Sequence, residues 1–255
     1  MTDIKVHAKK SLGQNFLVNE GVLDRIIVAA DISPTDTIVE VGPGTGALTR
    51  RLAATGATVI AIEKDRRLIE PLRDEFAQTP NVSIIEGDIL DLHAYPFTLT
   101  PSAYKVVANI PYYLTSHLIR LMLESWPSPS LAILMVQYEV AQRMLATPPD
   151  MNLLALSVQL YATPSIVMRV SPGSFRPMPD VDSAVVSLKL VAVRGEERER
   201  NKQILALAKP AFGQKRKQLT ATIAAETLAR AGITPTVRPQ ELSVEEWRRL
   251  AASLN

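Results

Sequence analysis

Five short apolar runs, most of them leading into an amphipathic stretch, limit the folds open to this chain more than any other feature. They are residues 37–41 (TIVEV), 57–63 (ATVIAIE), 81–87 (NVSIIEG), 104–109 (YKVVAN) and 131–136 (LAILMV). Each is rich in Val or other strand formers and too short for an ordinary helix. Helix-like patterns occupy 47–55, 65–78, 115–125 and 137–146. Parallel neighbours need a crossover, and a strand–helix alternation supplies one each time, so the expectation is a mostly parallel sheet covered on both faces. Two later runs, 165–170 (SIVMRV) and 183–190 (SAVVSLKL), have only the loop SPGSFRPMPDVD between them. They predict a terminal antiparallel pair.

The pattern changes after Leu190. A charged stretch, VAVRGEERER, leads into a segment that reads as helical to the end, with breaks expected at Pro210, Gly232 and Pro235. The predicted organisation is an α/β domain over 1–194, including an N-terminal arm over 1–20, followed by a small all-helical domain over 195–255. A chain of 255 residues, 47% of them hydrophobic, can bury one sizeable core with a smaller one attached. No apolar run reaches 18 residues, so no membrane span is expected. The opening MTDIKVHAKK lacks the apolar core of a secretory signal. Cysteine is absent, which excludes disulfides and thiolate metal sites; no metal site is expected, and the protein reads as cytoplasmic.

Charge is unevenly placed. Residues 200–255 carry 10 Lys and Arg against 4 Asp and Glu, whereas the rest of the chain carries 18 against 22. Lys5, Lys9 and Lys10 add a basic cluster near the start. An acidic body with basic ends suits a polyanionic partner, although solvated helix faces would give the same count.

The first run continues directly into EVGPGTGALT. Gly42, Gly44 and Gly46 permit a tight turn that a ligand can approach, and the helix start behind it offers free N–H groups. The spacing is G-x-G-x-G, without the lysine of a phosphate-binding loop. The second run ends in Glu63, 21 residues after Gly42, where an acid can accept both ribose hydroxyl protons. The third ends in EGDIL, placing Asp88 where it can accept from an adenine amino group. Singly, each acid could be a helix cap. Together, at three successive strand ends, they point to a nucleoside cofactor without a pyrophosphate, and S-adenosylmethionine fits. Glu40, just before the turn, is a further candidate contact.

The fourth run ends in VANIPYY. The amide of Asn109 and a main-chain carbonyl, taken as that of Ile110, can accept the two N6–H bonds of an adenine and hold the amine in line for methyl transfer. Pro111 sets the turn, and Tyr112 can stack on an unpaired base. The competing reading is an Asx turn closing a strand, with both tyrosines in the core.

These segments, with KKSLGQNFLVN (9–19), IEKD (62–65), LMVQYEVAQRMLA (134–146), FRPMPDVDSAVVSL (175–188) and AFGQKRKQL (211–219), resemble in order the KsgA family of small-subunit rRNA adenine N6,N6-dimethyltransferases. The resemblance implies a Rossmann-like S-adenosylmethionine-dependent methyltransferase sheet with a small C-terminal all-helical domain that binds RNA. It implies that Asn15 and Leu17 of the arm touch the cofactor beside Gly42, Glu63, Asp88 and Asn109, and that Asn109, Ile110, Pro111 and Tyr112 form the catalytic segment. Without the resemblance, Phe16 and Leu17 read as core anchors. Phe175 is read as closing the base pocket opposite Tyr112, with a plain core aromatic as the alternative. The implied partner is small-subunit rRNA in a pre-30S particle, met by a monomer, and the implied reaction is dimethylation of two adjacent adenosines in the loop of the 3′-terminal helix. Lys215 stands where arginine is common in the family. The alternatives are an Erm-type methyltransferase acting on large-subunit rRNA, an assembly factor acting mainly by binding pre-rRNA, and a nicotinamide dehydrogenase, which the loop spacing disfavours.

Overall fold

A computed structural model of the chain describes residues 8–9, 13–94, 99–191, 193 and 195–254. Lys5 and Lys10 of the basic arm and Arg194 at the expected domain boundary lie outside them. The described residues fall into two compact units. One runs to Ala141 and resumes at Ser165–Leu190; the other comprises Gln142–Pro164 and the chain from Val191 onward.

The first unit is built on a seven-stranded sheet. Its strands are β2 (Thr37–Val41), β3 (Thr58–Glu63), β4 (Val82–Glu86), β5 (Tyr104–Asn109), β6 (Leu131–Gln137), β7 (Ala162–Val170) and β9 (Ser183–Leu190), in the order β4-β3-β2-β5-β6-β9-β7. A two-residue β1 (Phe16–Leu17) pairs separately with β8 (Phe175–Arg176). The four pairings from β4 to β6 are parallel, as the alternation requires. The chain order reverses at β2, with β3 on one side and β5 on the other. At such a switch point the carboxyl ends of neighbouring strands open a crevice for ligands.

Burial follows the two-fold period of a strand. Ile38, Val59, Ala61, Val107, Ile133 and Met135 pack with Val22, Leu23 and Ile26 of helix α1 (Glu20–Ala30) and Leu48 and Leu52 of α2 (Ala47–Ala54). The alternate residues Val39, Val41, Val106, Ala108, Ala132 and Leu134 are just as buried, so both faces are covered. α3 (Arg66–Phe76) buries Leu68, Leu72 and Phe76, α4 (Thr115–Glu124) buries Leu118, Ile119 and Met122, and α5 (Tyr138–Met144) buries Ala141 and Met144.

Several elements differ from the expectation. α1 was not anticipated, although Asn19 caps it by accepting the Val22 N–H and Val22, Leu23, Ile26 and Ala30 supply a helical stripe. The late strands do stand side by side at the end of the sheet, but with the later one on the inside. β9 inserts between β6 and β7 and runs antiparallel to β6, with Leu131 opposite Lys189 and Gln137 opposite Ser183.

The second unit is helical apart from its short piece of β7. It gathers α6 (Leu153–Gln159), α7 (Gly195–Gly213), α8 (Ala225–Arg230) and α9 (Val244–Ala252) around buried Leu156, Ile204, Ala208, Leu228, Trp247 and Leu250. Residues 142–164 were expected in the first domain and belong here instead. Asn201 Nδ2 of α7 donates to the Leu160 carbonyl at 3.0 Å and is itself buried, and the Val191 N–H donates to the Tyr161 carbonyl at 2.8 Å. Pro210 does not break α7. The helix continues for one turn past it, where Ala211 is buried and Phe212 meets Trp247 with ring centroids 5.7 Å apart. Tertiary packing there outweighs the lost backbone bond. The basic run Lys215-Arg216-Lys217 is not helical either; it sits exposed on the turn that follows. Gly232 does end α8, with φ +69°. Ser243 opens α9 with a reciprocal capping box to Glu246. Among the described residues no helix is long and apolar enough to cross a membrane.

Candidate active site

The carboxyl ends of β2, β3, β4 and β5 meet at one cleft of about 1120 Å³, counting space open to solvent. Its walls contain every residue singled out for the cofactor: Asn15, Leu17, Gly42, Glu63, Asp88 and Asn109. Ile110, Pro111, Tyr112 and Phe175 line it as well.

The glycine turn owes its shape to three positive φ angles, +67° at Gly42, +58° at Gly44 and +78° at Gly46. The three differ in what surrounds them. A Cβ on Gly44 would stand 3.0 Å from the Phe16 ring, and one on Gly46 would stand 3.2 Å from Leu72. A Cβ on Gly42 would meet nothing within 4 Å. Gly44 and Gly46 therefore serve internal packing, while Gly42 faces open space where a ligand can approach the backbone.

Glu63 closes the turn from β3. Its Oε2 accepts the Gly44 N–H at 3.1 Å and its Oε1 accepts the Asp65 N–H at 2.8 Å. Burial raises its pKa above the ordinary carboxylate range, and the N–H donors of Asp65 and Gly44 offset part of that. Each oxygen keeps a further lone pair for a ligand hydroxyl. Glu40 lies one strand away and is 1% exposed. Neither of its carboxylate oxygens has a hydrogen-bond partner. Burial pushes its pKa up to about 8; the Thr49 hydroxyl beside it offsets part of that, and the Glu63 charge adds to the rise. On the β4 side, Asp88 Oδ2 lies 2.6 Å from Lys64 Nζ and Oδ1 accepts the Leu90 N–H at 3.1 Å. Burial alone would raise the Asp88 carboxyl, but Lys64 and that N–H outweigh it and hold it low.

Asn109 ends β5. Its Nδ2 donates to the main-chain carbonyl of Asn15 at 3.1 Å, which leaves Oδ1 as the end able to accept from a ligand. Ile110 is buried, and its N–H donates to the Met135 carbonyl at 3.3 Å, which fixes the peptide behind it. The Tyr112 hydroxyl bonds to Ser183 Oγ at 2.7 Å, while Tyr113 is exposed. The competing reading, with both tyrosines in the core, thus fails for Tyr113, and Tyr112 is only half-buried. Leu17 and Phe175 are both core residues and cleft residues. They pair across β1 and β8, belong to the buried core, and line the cleft.

Four residues at or beside the cleft, Gln14, Asp65, Arg67 and Ser183, have roles that the sequence does not announce. Gln14 Nε2 donates to Asp65 Oδ2 at 2.9 Å, and Arg67 forks onto the same carboxylate, holding its pKa down to about 2. Ser183 reaches Tyr112 across 71 positions. Gln14 and Asp65 lie inside the KKSLGQNFLVN and IEKD segments, so their neighbourhood was marked but not their bond. Ser183 lies inside the FRPMPDVDSAVVSL segment and heads a predicted strand, but its bond to Tyr112 was likewise unmarked.

A mostly parallel sheet with an inserted antiparallel strand, a glycine turn after β2, an acid ending β3 and an amide-proline-tyrosine segment ending β5 define a Rossmann-like methyltransferase. Residues 5–255 match the ribosomal RNA adenine dimethylase family, and the chain belongs to it. It is 42% identical to the ribosomal RNA small subunit methyltransferase A of Dehalococcoides mccartyi strain 195, over 98% of this chain and 89% of that protein. Among solved structures it resembles a dimethyladenosine transferase from Plasmodium falciparum (28% identity, TM-score 0.76, 92% of this chain and 95% of that one). It is comparably similar to the 23S rRNA methyltransferase ErmE (27% identity, TM-score 0.75, 94% and 99%).

Proposed function

We propose that this chain dimethylates the N6 amines of two adjacent adenosines in the 3′-terminal helix of small-subunit rRNA, acting as a cytoplasmic monomer on a pre-30S particle. The single observation that carries the chemistry is the Asn109 amide. Its nitrogen end is occupied by the Asn15 carbonyl and its oxygen end is left to accept an N–H, in the cleft that also holds the glycine turn and Glu63.

The cleft fits S-adenosylmethionine. Gly42 leaves open space at the backbone, Glu63 suits the ribose hydroxyls, and Glu40 is a buried carboxyl with no well-formed hydrogen bond. Asp88 suits the adenine amino group, and Asn15 and Leu17 would cover the molecule from the arm. When bound, the cofactor supplies an electrophilic methyl group on its sulfonium. Asn109 Oδ1 and the Ile110 carbonyl accept the two N6–H bonds of the target base and localise the amine lone pair toward that methyl. Tyr112 stacks on the unpaired base, with its ring angle fixed through Ser183. After transfer the amine cation is acidic and gives its proton to water, so an amide suffices where a carboxylate base would otherwise be needed. The remaining N–H of the monomethylated base still finds Asn109 for a second transfer.

The small-subunit address rests on relatives such as the Dehalococcoides protein. Mass spectrometry and primer extension on both rRNAs, from cells lacking this protein, test it. Loss of dimethyladenosine from the small-subunit 3′ helix is expected; a loss confined to large-subunit rRNA would favour the Erm-type reading. In vitro, Asn109→Ala should abolish most turnover while retaining cofactor affinity. Near wild-type dimethylation by that variant would reduce NIPYY to a structural turn.

A further inference from the structure

A side-chain amide has two ends of nearly equal size, and which end faces a substrate is decided by its other partners. For Asn109 that partner is the main-chain carbonyl of Asn15, 94 positions earlier in the chain. The end of β5 is thus oriented by the N-terminal arm, and whatever holds the arm also holds the amide.

The arm is held on both sides of Asn15. Beyond it, Phe16 and Leu17 pair with Arg176 and Phe175. Before it, Gln14 Nε2 donates to Asp65 Oδ2 at 2.9 Å. Gln14 is itself oriented, because its Oε1 accepts the Lys9 N–H at 2.8 Å and lies 3.5 Å from Arg67 Nη2. Asp65 is a fixed anchor. It caps α3 through the Arg67 N–H, is forked by the Arg67 guanidinium, and is 5% exposed. Gly13 packs against the Tyr113 ring, where an added Cβ would stand 3.2 Å from it. Gln14 lies only partly buried, so its side chain fills no core space. Its evident contribution is the bond to Asp65.

We propose that Gln14 is a positioning residue for methyl transfer: its bond to Asp65 holds the Asn15 carbonyl on Asn109 Nδ2, so that Oδ1 faces the reacting amine. The inference rests on the role of Asn109 proposed above. It separates two jobs of the arm. Asn15 and Leu17 cover the cofactor, whereas Gln14 acts through the Asn15 backbone on the catalytic amide.

Gln14→Leu keeps most of the volume and removes the donor; Gln14→Lys keeps a donor to Asp65. With cofactor and rRNA both saturating, Gln14→Leu should lower kcat by about tenfold to a hundredfold, the scale of a misplaced reacting geometry. Gln14→Lys should recover most of that. A second readout needs neither substrate nor cofactor. The Asn109 side-chain NH2 resonances, assigned by their absence in Asn109→Ala, should shift and exchange faster with solvent in Gln14→Leu and stay near wild type in Gln14→Lys. A folded Gln14→Leu protein with wild-type kcat and an unmoved amide signal would overturn the proposal. So would a Gln14→Lys protein as impaired as Gln14→Leu, or a loss confined to cofactor affinity. If Asn109→Ala itself keeps full turnover, the role of Asn109 fails first. If Asn109→Ala is inactive and Gln14→Leu is not, only the positioning role fails.

Discussion

Glu40 shows how one side chain couples ligand chemistry to stability. Its carboxyl is buried with no well-formed hydrogen bond, only the Thr49 hydroxyl nearby, and its pKa is raised from 4.5 to about 8. Between those values the folded protein retains a proton that the unfolded chain has released. Linkage then makes the folded state lose stability as pH rises through that window, with the loss complete above about 8. Urea unfolding at pH 6 and pH 9 should show the wild type weaker at pH 9. Glu40→Gln, neutral throughout, should remove most of that difference, and an equal drop in the variant would mean that Glu40 does not titrate there. The residues that sequence exposed were of one kind. Gly42, Glu63, Asp88 and Asn109 each end an apolar run, so a strand pattern alone put them at one edge. Gln14 with Asp65 and Tyr112 with Ser183 are 51 and 71 positions apart. Pairings at that range leave no local periodicity to read, and only the packed chain brings them together.

At the scale of the element, the glycine turn separates strain from occupancy. Both Gly42 and Gly44 hold positive φ, which costs an L-residue about 1–2 kcal/mol. Gly44→Ala adds a methyl against the Phe16 ring, so it should lower the unfolding midpoint and loosen the arm. Gly42→Ala carries the strain alone, and its methyl projects into the cleft. It should cost less stability and more cofactor affinity. Thermal unfolding and calorimetry on the two variants check the contrast, and a reversed order would refute it. Strands were easier to foresee than helices here. β2 (TIVEV) and β5 (YKVVAN) are short runs with β-branched Val or Ile at their centres and sharp ends. α1 carries a cap and a clear stripe but precedes the first strand, outside the alternation that organised the reading. β1 and β8 are two residues each, and no propensity signal operates at that length.

For the whole molecule, composition marked the basic C-terminal region, but chain order misled about its extent. The helical unit draws on 142–164 as well as on the chain after Val191, a discontinuity that no linear boundary could express. Lys215, Arg216 and Lys217 stand exposed on a turn of that unit. Neutralising all three should weaken rRNA binding and flatten its salt dependence, by about 0.7–0.9 in slope for each phosphate left without its cation. Cofactor affinity should not change. A salt slope that stays at the wild-type value would show that the turn does not meet phosphate.

The pairing of β1 with β8 also has a consequence in time. Phe16 and Leu17 leave a ribosome about 160 residues before their partners Phe175 and Arg176. During synthesis the glycine turn, Glu63, Asp88 and Asn109 emerge long before the strand that seats the arm over them. Contacts so distant along the chain also close late in folding, because the intervening loop entropy has to be overcome first. The cleft is therefore finished by a segment made before the strands that it covers. A nascent chain stalled before Phe175 would hold the sheet residues of the site but lack the covered cleft that the arm completes.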